Sequence, residues 1–160
     1  MKISKIAIVS KFGSKESEIA AVEIAKKLLK LKSQVFTVAP ISVEGAKKVR
    51  SLEDLKKIRL DLVITLGGDG TTLRTFRNLE NETPLLAINV GGNRGILSEI
   101  TLDWIDKAIQ HIKKNEIWID KRTRVVASCN NQTFQPALNE IYVNRKNLTK
   151  TAEFEIKFQN

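Results

Sequence analysis

The residues best suited to chemistry are Gly67-Gly68-Asp69-Gly70-Thr71, directly after the apolar run Leu62-Val63-Ile64-Thr65-Leu66. Glycines at the carboxyl end of a buried strand let backbone approach a ligand closely, and a following helix start offers unpaired N–H groups to an anion. That combination suits phosphate. A carboxylate among such amides is unfavourable for phosphate unless Asp69 accepts a hydroxyl proton or holds Mg²⁺. The plainer alternative is a tight strand-to-helix turn with Asp69 as its N-cap. Arg74 follows one helical turn later, where a guanidinium could meet phosphate or simply face solvent. Neither a Gly-x-x-x-x-Gly-Lys-Ser/Thr loop nor a Gly-x-Gly-x-x-Gly turn after a strand occurs, so a phosphate site here is of another kind.

The elements that must position these residues alternate. Ile6 to Ser10 reads as a buried strand, followed by a helix over residues 15 to 31 with Ser14 as its cap and Ile19, Val22, Leu28 and Leu29 as its apolar spacing. Gln34 to Ala39 reads as a strand ended by Pro40, and Ser51, Glu53 and Asp54 mark a short capped helix near residues 52 to 57. Residues 62 to 66 form a third strand and a helix starts near Thr71. Leu85 to Asn89 form a fourth strand, which opens into the glycine-rich turn Gly91-Gly92-Asn93-Arg94-Gly95. Thr101 caps an amphipathic helix striped with Leu102, Ile105, Ile109 and Ile112. The order predicts an α/β fold, a Rossmann-like parallel sheet with helices on both faces, over residues 1–120.

From residue 121 to 160 the pattern becomes antiparallel. Arg124 to Cys129, Gln135 to Val143 and Ala152 to Phe158 read as short strands, with Asn130-Asn131 as one connection. Phe154, Ile156 and Phe158 alternate with Glu155, Lys157 and Gln159, so one face calls for a covering layer. This segment is expected to be the incomplete start of a β-rich, sandwich-like domain.

Composition narrows the classes. With 42% hydrophobic and 28% charged residues, the 160-residue chain suits one substantial core and not disorder. No apolar run approaches the roughly 18 residues of a membrane span, and the single cysteine, Cys129, excludes an intrachain disulfide; both fit a cytoplasmic protein with no membrane partner. The net charge of +9 favours polyanions, but the basic residues are spread over helices without an aromatic-basic motif, so nucleic acid is not expected. His111 is expected in solvent, Trp104 and Trp118 in packing, and Cys129 buried and inert.

Gly67-Gly68-Asp69-Gly70-Thr71-Thr72-Leu73-Arg74 resembles the GGDGTxLR signature of NAD kinases, and its Gly-Gly-Asp-Gly-Thr core also occurs in diacylglycerol kinases, sphingosine kinases and 6-phosphofructokinases. Ile88-Asn89-Val90-Gly91 with Gly95-Ile96-Leu97 is similar to the family's Ile-Asn-x-Gly and Gly-Phe-Leu segments, with one additional turn residue and Ile96 in place of phenylalanine. Ala137-Leu138-Asn139-Glu140-Ile141 resembles the Ala-Leu-Asn-Glu segment that opens the family's β-rich domain, which is expected to bind NAD.

The resemblance implies phosphoryl transfer from ATP or polyphosphate, with Mg²⁺, to the adenosine 2′-hydroxyl of NAD. It implies Asp69 as general base, Gly68, Gly70, Thr71 and Arg74 around phosphate, Asn89 shaping the NAD site, and Asn139 and Glu140 contacting the dinucleotide. Nothing here matches the family's later Thr-Pro-Thr-Gly-Ser-x-Ala-Tyr segment. The expectation is therefore one piece of a longer enzyme, which the unfinished sheet suggests is a homo-oligomer, or else a shortened relative that binds nucleotide without turnover.

Overall fold

The computed structural model describes residues 3–79, 83–92, 95–98, 100–145 and 149–158. It divides into two compact units, residues 1–122 and 123–160.

In the first unit, strands β1 (Lys5–Ser10), β2 (Gln34–Val38), β3 (Lys47–Val49), β4 (Leu62–Leu66), β5 (Leu85–Asn89) and β6 (Ile100–Thr101) form one sheet in the order β3-β2-β1-β4-β5-β6. Every pairing is parallel. The helices are α1 (Lys15–Lys30), α2 (Leu52–Leu55), α3 (Asp69–Arg77) and α4 (Ile105–Lys114), the last preceded by a 3-10 turn over Leu102–Trp104.

Because side chains alternate along a strand, neighbours in sequence supply opposite faces. Ile6, Ile8, Ile64, Leu66 and Ile88 meet Ile24 and Leu28 of α1 and Ile105, Ile109 and Ile112 of α4. Ala7, Val9 and Val63 instead meet Phe36, Val38, Leu52, Leu55 and Leu79. Each fully buried aliphatic side chain contributes about 1.5–3 kcal/mol, so β4, all five residues of which are buried, is apolar except at Thr65, whose hydroxyl lies 3.3 Å from that of Thr72.

Local chemistry sets the element ends. Ser14 and Ser51 accept hydrogen bonds from the amides of Ser17 and Asp54, both at 3.3 Å, and so cap α1 and α2. Asp61, just before β4, gathers the start of β1 by accepting from Ser4 N at 2.9 Å, Ser4 Oγ at 3.0 Å and Lys5 N at 2.8 Å. Partial burial pushes its pKa up, but these bonds outweigh burial and hold it below the ordinary value.

Several expectations are corrected. Strands β3 and β6 have no sequence signature, being three- and two-residue sheet edges. Ile19 is 62% exposed, and Ala20, Ala21, Ile24, Ala25 and Leu28 form the buried face of α1 instead. Helix α3 begins at Asp69, two residues before the expected start. Thr101 makes no side-chain cap bond, and its hydroxyl meets the Asp103 carboxylate. Trp104 and Trp118 do not pack: they are 53% and 92% exposed, and Trp104 carries Lys107 Nζ 4.3 Å from its ring centroid. His111 is exposed, as expected, with Nδ1 3.5 Å from a Glu116 carboxylate oxygen.

In the second unit a hairpin joins β7 (Ser128–Cys129) to β8 (Gln132–Thr133). Its two-residue loop places Asn130 and Asn131 at φ 49° and 61°, the left-handed pair that asparagine tolerates in such turns. One antiparallel bridge, Val125 to Ala137, extends it. Residues 135–143 and 152–158 form no longer strands, and Phe154, Ile156, Phe158 and Cys129 are exposed. A two-stranded ribbon has no second layer to bury them. Among the described residues no helix is long and apolar enough to cross a membrane.

Two stability outcomes follow from this packing. Ile64→Ala, which empties a fully buried position, is expected to cost about 3–4 kcal/mol in urea unfolding. Asp61→Ala is expected to cost about 1 kcal/mol at pH 7. Because the folded-state pKa of Asp61 is depressed, its contribution is complete above the unfolded value of about 3.9 and fades as pH falls through the lower folded value. The gap between wild type and variant should therefore close in that acid window.

Candidate active site

Helix α1 lies on one face of the sheet and α3 on the other, because β1 crosses over to β2 in one direction and β4 to β5 in the opposite one. The reversal falls between the adjacent strands β1 and β4, and a crevice opens beyond their carboxyl ends, the usual ligand position in such sheets. Hydrogen bonds Lys11 N to Leu66 O, 2.7 Å, and Gly67 N to Ile88 O, 2.9 Å, tie the ends of β1, β4 and β5 together.

Gly67 has φ +149°, and a Cβ there would come within 2.6 Å of Thr71 Oγ1 and 3.0 Å of Lys11 Cβ, so only glycine fits. Gly68 is the N-cap of α3 without a side-chain bond, and its carbonyl accepts from Thr71 N at 3.0 Å and Thr72 N at 3.3 Å. Thr72 and Thr75 are buried under the helix: the Thr72 hydroxyl lies 3.3 Å from that of Thr65, and Thr75 Oγ1 donates to Thr71 O at 2.8 Å. At Gly68 and Gly70 an added Cβ would meet nothing within 4 Å. The protein's own packing does not require glycine at those two positions, and the space beside the helix start is open.

Asp69 is the first helical residue and not the N-cap. Its carboxylate turns to the loop between β5 and β6. Oδ2 accepts from Ile96 N at 2.9 Å, and Oδ1 accepts from Leu97 N at 3.1 Å, Ser98 N at 3.1 Å and Ser98 Oγ at 2.9 Å. Burial pushes the carboxyl pKa up, but the Ser98 hydroxyl and the three amides outweigh it and hold the group below the ordinary aspartate value, so it is ionised at neutral pH. The carboxylate fills the space of a missing side chain: a Cβ on Gly95 would overlap Oδ1 and lie 2.6 Å from Cγ and 2.7 Å from Ser98 Oγ. The Asp69 segment and the loop carrying Gly95 and Ser98, separate in the sequence, thus meet in one structure.

Beside them is a cleft of about 300 Å³ lined by Ser10, Lys11 and Phe12 after β1, Pro40 after β2, and Gly70, Thr71 and Arg74 of α3. Lys11, Arg74 and the 78%-exposed Phe12 give it two cations and an aromatic surface. Sequence reasoning missed Lys11, Phe12 and Ser98, and named Gly95 only as part of the second glycine segment. The position of Lys11 and Phe12 immediately after the first parallel strand was the available signal. Gly70, Thr71 and Arg74 line this cleft, Gly68 and Asp69 stand next to it at the start of α3, and Asn89 is buried at the end of β5. Asn139 and Glu140 belong to the second unit, where both are exposed. Among the described residues no group of three or more His, Cys, Asp or Glu side chains could cage a metal ion.

The family model described as the ATP-NAD kinase N-terminal domain matches residues 6–117. The chain belongs to this family. As an NAD kinase family member it is 29% identical over 153 residues to an NAD kinase of Methanothermobacter thermautotrophicus, a match covering 95% of this chain and 53% of that one. It is 33% identical over 153 residues to an NAD kinase of Clostridium perfringens, covering 93% and 52%. The chain spans about half the length of the curated relatives it matches.

Among solved structures, yeast NADH kinase complexed with NADH aligns with a TM-score of 0.71 at 22% identity, over 87% of this chain and 48% of that one. An NAD kinase from Archaeoglobus fulgidus in complex with ATP aligns with a TM-score of 0.51 at 22% identity, over 80% and 44%. These likenesses agree with the α/β fold of the family domain.

The glycines separate experimentally. Gly95→Ala is expected to cost about 1–3 kcal/mol in urea unfolding, because the new methyl must displace the Asp69 carboxylate. Gly70→Ala, in open space within a helix, should leave stability unchanged or raise it by up to about 1 kcal/mol.

Proposed function

We propose that the protein is a phosphotransferase acting as an NAD kinase, moving a phosphoryl group from ATP or polyphosphate to the adenosine 2′-hydroxyl of NAD to give NADP. The observation that carries this reading is the ionised Asp69 at the start of α3, beside a cleft that offers Lys11 and Arg74 to phosphate. The relatives' names and the NADH and ATP of the two solved structures support nucleotides as ligands.

Phosphoryl transfer depends chiefly on positioning and charge neutralisation. In this reading Asp69 orients the attacking hydroxyl and takes its proton as the new P–O bond forms. Lys11 and Arg74 neutralise donor phosphates, while Gly68, Gly70 and Thr71 leave room for close approach. Asn89 would shape the NAD site, and Asn139 and Glu140 would contact the dinucleotide. Mg²⁺ would supply further charge neutralisation. The described residues do not form a cage for it, so its ligands would come mainly from donor phosphates, as is common for this ion.

We read residues 121–160 as the beginning of an all-β NAD-binding domain, supported by the hairpin and by exposed Tyr142, Phe154, Ile156 and Phe158. The same exposed side chains support homo-oligomerisation of the complete protein in the cytoplasm.

The deciding assay is NADP formation with Mg²⁺ and either donor. Asp69→Asn is expected to lower kcat by about 10²–10⁴-fold, and Lys11→Ala to raise KM for the donor by roughly tenfold with little change for NAD. Binding of NAD by calorimetry without NADP formation from either donor would overturn the enzyme reading in favour of a non-catalytic NAD-binding module.

A further inference from the structure

The two oxygens of Asp69 are not equivalent. Oδ1 accepts three hydrogen bonds, two of them from Ser98, whereas among the described residues Oδ2 accepts one, from Ile96 N. A carboxylate oxygen has about two lone-pair sites, so among the described residues Oδ1 is fully used and Oδ2 is the oxygen more open to a further donor. Ser98 is 0% exposed, so water cannot readily replace its hydroxyl.

Resting on the kinase reading above, we propose that Ser98 is a positioning residue that anchors Oδ1 and thereby presents Oδ2 to the acceptor hydroxyl. The acceptor oxygen bonds to the terminal phosphorus of the donor triphosphate or polyphosphate as its proton passes to Oδ2. The bridging P–O bond breaks, and its electron pair leaves with the shortened donor. Without the Ser98 hydroxyl, the carboxylate keeps its three amide bonds but loses its shortest tie at Oδ1, so its rotation about χ2 is less restrained. Gly95 serves the same anchor sterically, since no side chain can stand between Oδ1 and Ser98. Lys11 and Arg74 line the neighbouring cleft, which Ser98 does not line.

The test compares wild type, Ser98→Ala and Ser98→Thr as the full chain. For Ser98→Ala the expected result is a kcat for NADP formation lower by about 10–100-fold with KM for NAD within roughly threefold, and Ser98→Thr should recover most of the loss. A rise in KM at unchanged kcat, or no recovery with threonine while both variants remain folded, would overturn the assignment. Amide hydrogen exchange at Ile96 and Leu97 supplies a readout independent of turnover. Ser98→Ala should accelerate it by about tenfold and Ser98→Thr restore it. If wild type forms no NADP, the kinase reading fails, and exchange alone decides the role of Ser98. Unaltered exchange in Ser98→Ala would then overturn it.

Discussion

The Asp69 carboxylate and the three successive amides it accepts from are the constraint around which this end of the molecule is organised. A negative charge on the first residue of α3 is favoured by the helix dipole, and the loop amides replace the water it loses. The same bonds fix the path of residues 95–98 and exclude a side chain at Gly95. An ionised group, a helix start and a distant loop therefore stand or fall together. Asp61 uses similar chemistry elsewhere in the sheet, holding Ser4 and Lys5 where β1 begins.

The sheet gives that carboxylate its location. Alternation in β1 and β4 feeds two separate apolar layers, one under α1 and α4, the other under α2 and the end of α3. With helices leaving β1 and β4 toward opposite faces, the carboxyl ends of these two strands are left uncovered. The cleft with Lys11, Phe12 and Arg74 is a product of this topology, and its cations answer the anionic character expected of a ligand there. Glycine has two distinct uses around it. Gly67 and Gly95 are required by the protein's own atoms, whereas Gly68 and Gly70 face open space.

The second unit has a different physical character. Its ladder is a two-residue hairpin and one bridge, and Val126, Phe134, Tyr142, Phe154, Ile156 and Phe158 are each about half exposed or more. Apolar alternation was present in the sequence, but among the described residues nothing in this unit covers its apolar residues. Strands 135–143 and 152–158 were expected from that alternation and did not form. Period-two patterning expresses a preference that only pairing partners can satisfy.

What the sequence determined by itself was local. The largely apolar runs 62–66 and 85–89 specified parallel strands, Ser14 and Ser51 specified helix starts, and Asn130-Asn131 specified a hairpin turn. The Gly-Gly-Asp-Gly-Thr segment and the later glycine segment pointed to the family. Tertiary structure decided the rest. Edge strands β3 and β6 are too short to have a period, and the exposure of Trp104, Trp118 and Cys129 is set by what packs around each of them. The Ser98 bond to Asp69 spans 29 residues, and Lys11 reaches the cleft only because β1 lies beside β4. Periodicity and capping act over a few residues, whereas the donors of a carboxylate and the walls of a cleft are set by sheet order and strand register.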